Sequence, residues 1–161
     1  MSESLKKVLI SNSLDQTTVC GAAIGEALQP STLIGLVGEL GAGKTNLTQG
    51  IGEGVGVLRK DIVSPTFTIC VPHRGRLKLL HLDAYRIKDG TEVDELALDE
   101  ELEDGAAVIV EWAKRIEQYL PEIDVMIEIE AESETQRRLA FEGRTEVGRK
   151  LIEALPETLF R

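Results

Sequence analysis

Residues 38 to 45 read Gly38-Glu39-Leu40-Gly41-Ala42-Gly43-Lys44-Thr45, a full match to the pattern G-x-x-x-x-G-K-[ST]. Residue types in this order can hold the phosphates of a nucleoside triphosphate. The glycines let the backbone curl with its N–H groups turned inward, and the helix that follows adds the positive end of its dipole. Lys44 would neutralise charge on the β- and γ-phosphates, and the Thr45 hydroxyl would join a Mg²⁺ shell. At ordinary composition a chance match in a chain of this length is on the order of 1 in 200, so the octapeptide is read as a site and not as a plain glycine turn.

Hydrolysis would also need a carboxylate for the metal or the water, standing where a strand ends beside the loop. Two apolar runs end in one: Leu79-Leu80-His81-Leu82-Asp83 and Val108-Ile109-Val110-Glu111-Trp112. The plain alternatives are a turn or helix cap for Asp83 and an exposed strand end for Glu111. Trp112, the single tryptophan, is divided between packing and an anchor near the nucleotide. His81 lies two residues before Asp83 and shares its strand face, as packing or as a group behind the site. Pro65 fixes the angle at which Ser64-Pro65-Thr66 presents its hydroxyls, as a switch segment would to a γ-phosphate; an ordinary Ser-Pro turn reads the same way. Arg86, just after Asp83, can pair with an acid or a phosphate.

To position such a loop the chain must supply strand, loop and helix in that order. Residues 32–37 are the short apolar run of a buried strand, and residues 46–49 continue as helix. That helix is expected to stop in the run 50–57, because Gly50, Gly52, Gly54 and Gly56 alternate there and each interior helical glycine costs about 1 kcal/mol relative to alanine. Upstream, residues 8–10 suggest a strand, and Ser13 with Gln16 forms a capping box opening a helix that runs to about Leu28 before Pro30. Further strands are expected over 66–71, 77–82, 106–110, 125–129 and 138–141, with a hairpin turn at 72–76. Helices fit 93–102, 113–119 and 146–155. The order predicts one α/β domain over 1–161, P-loop NTPase-like, with a mixed central sheet flanked by helices.

Composition narrows the partners. At 161 residues and 42% hydrophobic content the chain can bury one sizeable core. No apolar run is long enough to span a bilayer, so a cytoplasmic protein is expected. Cys20 and Cys70 stand far apart with no metal-ligand spacing and read as small buried hydrophobes. The net charge is −10, and Asp89, Glu92, Asp94, Glu95, Asp99, Glu100, Glu101, Glu103 and Asp104 follow one another with no Lys or Arg between them. Almost all the excess sits in that segment. Affinity for nucleic acid comes mostly from Lys and Arg against phosphate, so any nucleic acid would be reached through a partner. The run itself is either a solvated face or a docking segment.

Taken together, Gly38 to Thr45, Ser64-Pro65-Thr66-Phe67, His81-Leu82-Asp83-Ala84-Tyr85-Arg86 and Glu111-Trp112 resemble the bacterial TsaE (YjeE) family in order and separation, over roughly residues 12–143. The resemblance implies an ATPase, weak alone, in the machinery that installs threonylcarbamoyl on adenosine 37 of tRNAs reading codons that begin with A. Its partners would be TsaD and TsaB, and it would meet tRNA through them. Carried over by position, Glu39, Gly41, Ala42, Gly43, Lys44 and Thr45 would hold ATP or ADP. Thr45 and Glu111 would ligate Mg²⁺, and Lys44, Asp83 and Glu111 would serve hydrolysis. Thr66 and Trp112 would form the nucleotide-dependent switch, and Arg137 is the candidate for the adenine. Two departures, Ala113 where the family often has proline and Ala84 where a larger apolar residue is usual, touch no proposed ligand.

Other uses of the same loop fit less well. A small-molecule kinase wants a lid rich in arginine, and between Asp83 and Glu111 the chain offers Arg86 and then mostly acids. A GTP-dependent switch wants Asn-Lys-x-Asp for guanine, and no Asn-Lys dipeptide occurs. A regulatory module that binds nucleotide without hydrolysing it stays open.

Overall fold

The computed structural model describes residues 4–39, 41–57 and 70–160. Among these residues seven strands form one sheet: β1 (Leu5–Ser11), β2 (Leu33–Val37), β3 (Cys70–Arg74), β4 (Lys78–Asp83), β5 (Ala107–Glu111), β6 (Val125–Ala131) and β7 (Arg137–Gly143). The helices are α1 (Leu14–Ala27), α2 (Lys44–Val55), α3 (Gly90–Glu95), α4 (Leu98–Glu103) and α5 (Glu146–Ala154). Strand order is β1-β7-β6-β2-β5-β4-β3. The centre is parallel, β6-β2-β5-β4, and both edges are antiparallel. Connection length decides which is which: the short links before β4 and β7 can only reverse the chain, whereas the parallel neighbours need long crossovers.

Each face of the sheet has its own core. Leu36, Leu79, Ile109 and Ile127 pack against Cys20, Ile24, Leu47 and Ile51 of α1 and α2. On the opposite face Leu80, Leu82, Val108 and Val110 pack against Val93, Leu98 and Ile116. A central strand covered on both sides reads as a continuous apolar run, which is how β2 and β5 were recognisable in the sequence.

The expected end of α2 within the glycine run falls at its far side. The helix continues through Gly50, Gly52 and Gly54 to Val55 and is closed by Gly56 at φ 99°. The glycines are where α1 and α2 cross. A Cβ on Gly21 would stand 2.5 Å from the Leu47 carbonyl oxygen, on Gly25 2.1 Å from that of Ile51, on Gly50 2.2 Å from that of Thr18, and on Gly54 2.3 Å from that of Ala22. Backbones approach this closely only where there is no side chain, and the burial won by Cys20, Ile24, Leu47 and Ile51 offsets the poor helix propensity.

Other boundaries shift for local reasons. The helix expected over 93–102 is broken at Ala97, whose φ is 52°, so that α3 and α4 each turn one apolar residue, Val93 and Leu98, into the core. Residues 113–119 form two 3₁₀ turns, Ala113–Arg115 and Glu117–Tyr119. Pro72, His73 and Arg74 belong to β3, an edge strand where a missing N–H is tolerated. The reversal is confined to residues 75–77. Of the strand expected over 66–71, residues 66–69 lie outside the described residues. At the start of α1 the Ser13 hydroxyl accepts from the Gln16 N–H at 3.0 Å, while the Gln16 side chain accepts from Asn12 and not from Ser13. No helix among the described residues is long and apolar enough to cross a membrane.

Candidate nucleotide site

The site stands at the C-terminal ends of β2, β4 and β5, where parallel strands open a crevice. β2 ends at Val37 and the chain turns through Gly41 at φ 81° and Gly43 at φ 111° before Lys44 begins α2. Ala42 N–H donates to the Glu39 carbonyl at 3.0 Å, and Leu47 N–H closes the first helical turn on Gly43 at 3.0 Å. A Cβ on Gly41 would meet nothing within 4 Å, because this bend borders open space. A cavity of about 360 Å³ lies there, lined by Gly41, Gly43, Lys44 and Thr45 from the loop and by Asp83, Glu111 and Trp112 from the strand ends.

Strand register brings the two acids together. Asp83 of β4 is paired with Glu111 of β5, so their side chains leave the same face of the sheet at the same level. Asp83 is also a cap: its Oδ1 accepts from the Tyr85 N–H at 3.0 Å and starts the 3₁₀ turn Ala84–Arg86. The plain reading and the functional one therefore coexist on this residue. Glu111 is 5% exposed, and its Oε2 lies 2.5 Å from His81 Nε2.

Lys44 is buried in the loop it follows. Its ammonium donates to the carbonyls of Gly38 and, at 3.1 Å, Glu39. The Trp112 ring covers it with the centroid 4.0 Å from Nζ, close enough for a cation–π contact. Trp112 itself sits at φ 61°, a conformation unusual for a bulky residue, and Tyr85 packs on its ring at 5.2 Å with Arg115 beyond, 5.4 Å from the Tyr85 ring. Burial pulls the Lys44 ammonium below its ordinary range, while Glu111 first, then Asp83 and Glu39, act in the opposite direction.

Arg137 is placed differently from the rest. It begins β7 and borders the cavity, but its guanidinium is held by backbone: Nε donates to the Ala42 carbonyl at 2.7 Å and Nη1 to that of Ser133 at 2.8 Å. It fastens the phosphate-loop backbone to the β6–β7 turn. Leu14, at the start of α1, and Asn46 also border the cavity. Neither was singled out in the sequence; Asn46 follows Thr45 directly, and Leu14 is adjacent only through the fold. Thr66, with Ser64 and Pro65, lies outside the described residues.

These residues fit a nucleoside triphosphate with magnesium. The loop supplies a glycine cradle and one ammonium, and the Thr45 hydroxyl with two carboxylates makes the all-oxygen donor set that Mg²⁺ prefers.

The chain is similar to known proteins over most of its length. The family description "Threonylcarbamoyl adenosine biosynthesis protein TsaE" matches residues 11–139. The tRNA threonylcarbamoyladenosine biosynthesis protein TsaE of Bacillus subtilis (strain 168) is 40% identical over 134 residues, which is 83% of this chain and 80% of the relative. That of Treponema pallidum (strain Nichols) is 31% identical over 130 residues, 81% of this chain and 96% of the relative. The crystal structure of Bacillus subtilis YdiB superposes with a TM-score of 0.77 at 28% identity, covering 95% of each chain. With the glycine loop and the paired strand-end acids in place over the length these proteins share, the chain belongs to the TsaE family of tRNA threonylcarbamoyladenosine biosynthesis proteins.

Proposed function

We propose that this chain binds ATP with Mg²⁺ and hydrolyses it, as the ATPase that serves threonylcarbamoylation of adenosine 37 in tRNAs reading codons that begin with A. The observation that carries the reading is the convergence of the loop cation, Lys44, with Asp83 and Glu111 on one cavity at the ends of adjacent strands. The loop N–H groups at Gly41, Gly43, Lys44 and Thr45 bind the phosphates, and Lys44 exchanges its loop carbonyls for β- and γ-oxygens. Thr45 and Glu111 hold the metal, which when bound supplies charge neutralisation to the transferring phosphoryl group. Asp83, fixed by its own cap, orients the attacking water. Trp112, backed by Tyr85, covers Lys44 and would have to move as phosphate enters, which makes this aromatic pair the segment that reports nucleotide state.

We place this role in the cytoplasm; the chain's anionic character supports contact with tRNA through protein partners, with TsaD and TsaB as the pair it assists. Turnover resets that assembly, and no phosphoryl group passes to tRNA. The test is ATP hydrolysis by the purified chain, alone and with TsaD–TsaB. Slow turnover that rises with the partners, and that Lys44→Ala abolishes together with nucleotide binding, is the expected result. Undiminished binding and turnover in Lys44→Ala would remove the assignment.

A further inference from the structure

We propose that His81 is a positioning residue for the metal-binding carboxylate of Glu111, a reading that rests on the magnesium assignment made above. His81 is 1% exposed, in the interior of β4, where the residues around it on the same face, Leu79 and Ile109, are fully buried hydrocarbons. An apolar side chain would be the ordinary occupant. Instead the imidazole spans a diagonal of the sheet: its register partner is Ile109, yet Nε2 reaches two residues further along β5 to Glu111 Oε2, at 2.5 Å.

A carboxylate that ligates a metal can only accept hydrogen bonds, so in that role Glu111 takes its bond from His81 Nε2 as the donor. The other nitrogen, Nδ1, is buried with no hydrogen-bond partner among the described residues. Among the described residues, the Glu111 carboxylate is the one hydrogen-bond partner of the ring. With Oε2 tied to His81, Oε1 is the Glu111 oxygen left to ligate a metal in the cavity that Thr45 also lines. Residues that hydrogen-bond a metal-ligating group in this way set its direction, and their loss usually costs about 10- to 100-fold in metal affinity.

The test is the magnesium-dependent gain in ADP affinity, read by calorimetry and by the fluorescence of Trp112, with ADP titrated in the presence and absence of Mg²⁺. His81→Gln places an amide nitrogen near the Nε2 position, whereas His81→Asn reaches only as far as Nδ1 and His81→Leu has no donor. The expected result is that Gln keeps the gain, that Asn and Leu lose about tenfold or more of it, and that all three bind ADP without magnesium as the unmodified chain does. If His81→Leu does not fold, the Gln and Asn variants still decide: an equal gain in both overturns the proposal. Glu111→Gln separates this inference from the one beneath it. Should that variant lose the gain while His81→Leu keeps it, His81 is packing and the metal reading of Glu111 stands. Should both keep it, Glu111 does not hold the metal, and the role of His81 falls with it.

Discussion

Gly50→Ala sets helix propensity directly against packing, and the two predict opposite signs. Alanine in a helix interior is favoured over glycine by about 1 kcal/mol, so propensity alone would raise the melting temperature. Position 50 is not free to accept the methyl group. A Cβ there would lie 2.2 Å from the Thr18 carbonyl oxygen and 3.0 Å from the Gly21 Cα, where ordinary contacts begin at 3.4 Å. α1 and α2 must then separate by roughly an ångström, and a gap of that size forfeits about a quarter to a half of each dispersion contact across it. Cys20, Ile24, Leu47 and Ile51, all at 0–1% exposure, lose most. Overpacking of this kind costs about 1–3 kcal/mol; at its upper end, less the propensity gain, the net loss is about 2 kcal/mol, or a fall of about 4–8 °C in Tm for a domain of this size. Because α2 begins with Lys44 and Thr45, the same displacement weakens ADP binding. Thermal melts and ADP titration of Gly50→Ala measure both effects. A variant as stable as the parent, or more so, would refute the close-packed crossing and return the glycines to mere tolerance.

Three other outcomes follow from the geometry. Glu111→Ala is expected to remove Mg²⁺-dependent hydrolysis while leaving magnesium-free nucleotide binding within about twofold, because a metal ligand matters only when the metal is present; equal loss with and without magnesium indicates a folding defect instead. Replacing the exposed Asp99, Glu100 and Glu103, together with half-buried Glu101, by serine is expected to weaken association with TsaD–TsaB, and high salt to weaken the native complex; sedimentation at two ionic strengths tests this, and a salt-insensitive complex indifferent to the four substitutions makes the acidic run a solvated face. Burial pushes the Cys20 thiol up to about 12. A raised thiol contributes stability that is full below the unfolded value of about 8.5 and lost as pH climbs towards the folded value, so denaturant midpoints should fall from about pH 9 upward, and a Cys20→Ser variant, whose hydroxyl does not titrate there, should lose that part of the slope.

The sequence by itself determined which residues are candidates for chemistry in this chain, because those candidates lie in short contiguous segments. A phosphate loop is eight consecutive residues, and the apolar runs ending in Asp83 and Glu111 announce strand ends whose acids must face outward. From these the order of elements, the mixed sheet and the family could be read. What only the tertiary structure decided are relations between segments far apart in the chain. The α2 glycines read as helix breakers until α1 is laid against them, since propensity is a property of one segment and a close approach a property of two. Arg137 reads as the candidate for the adenine, and the fold adds bonds from its Nε and Nη1 to the Ala42 and Ser133 carbonyls, which no spacing encodes. His81 was legible as a residue on the face of Asp83, while its partner across the sheet was not. The register of β4 against β5 is set by their shared cores, and it is that register, together with burial, that turns a histidine and a glutamate thirty residues apart into one hydrogen-bonded unit.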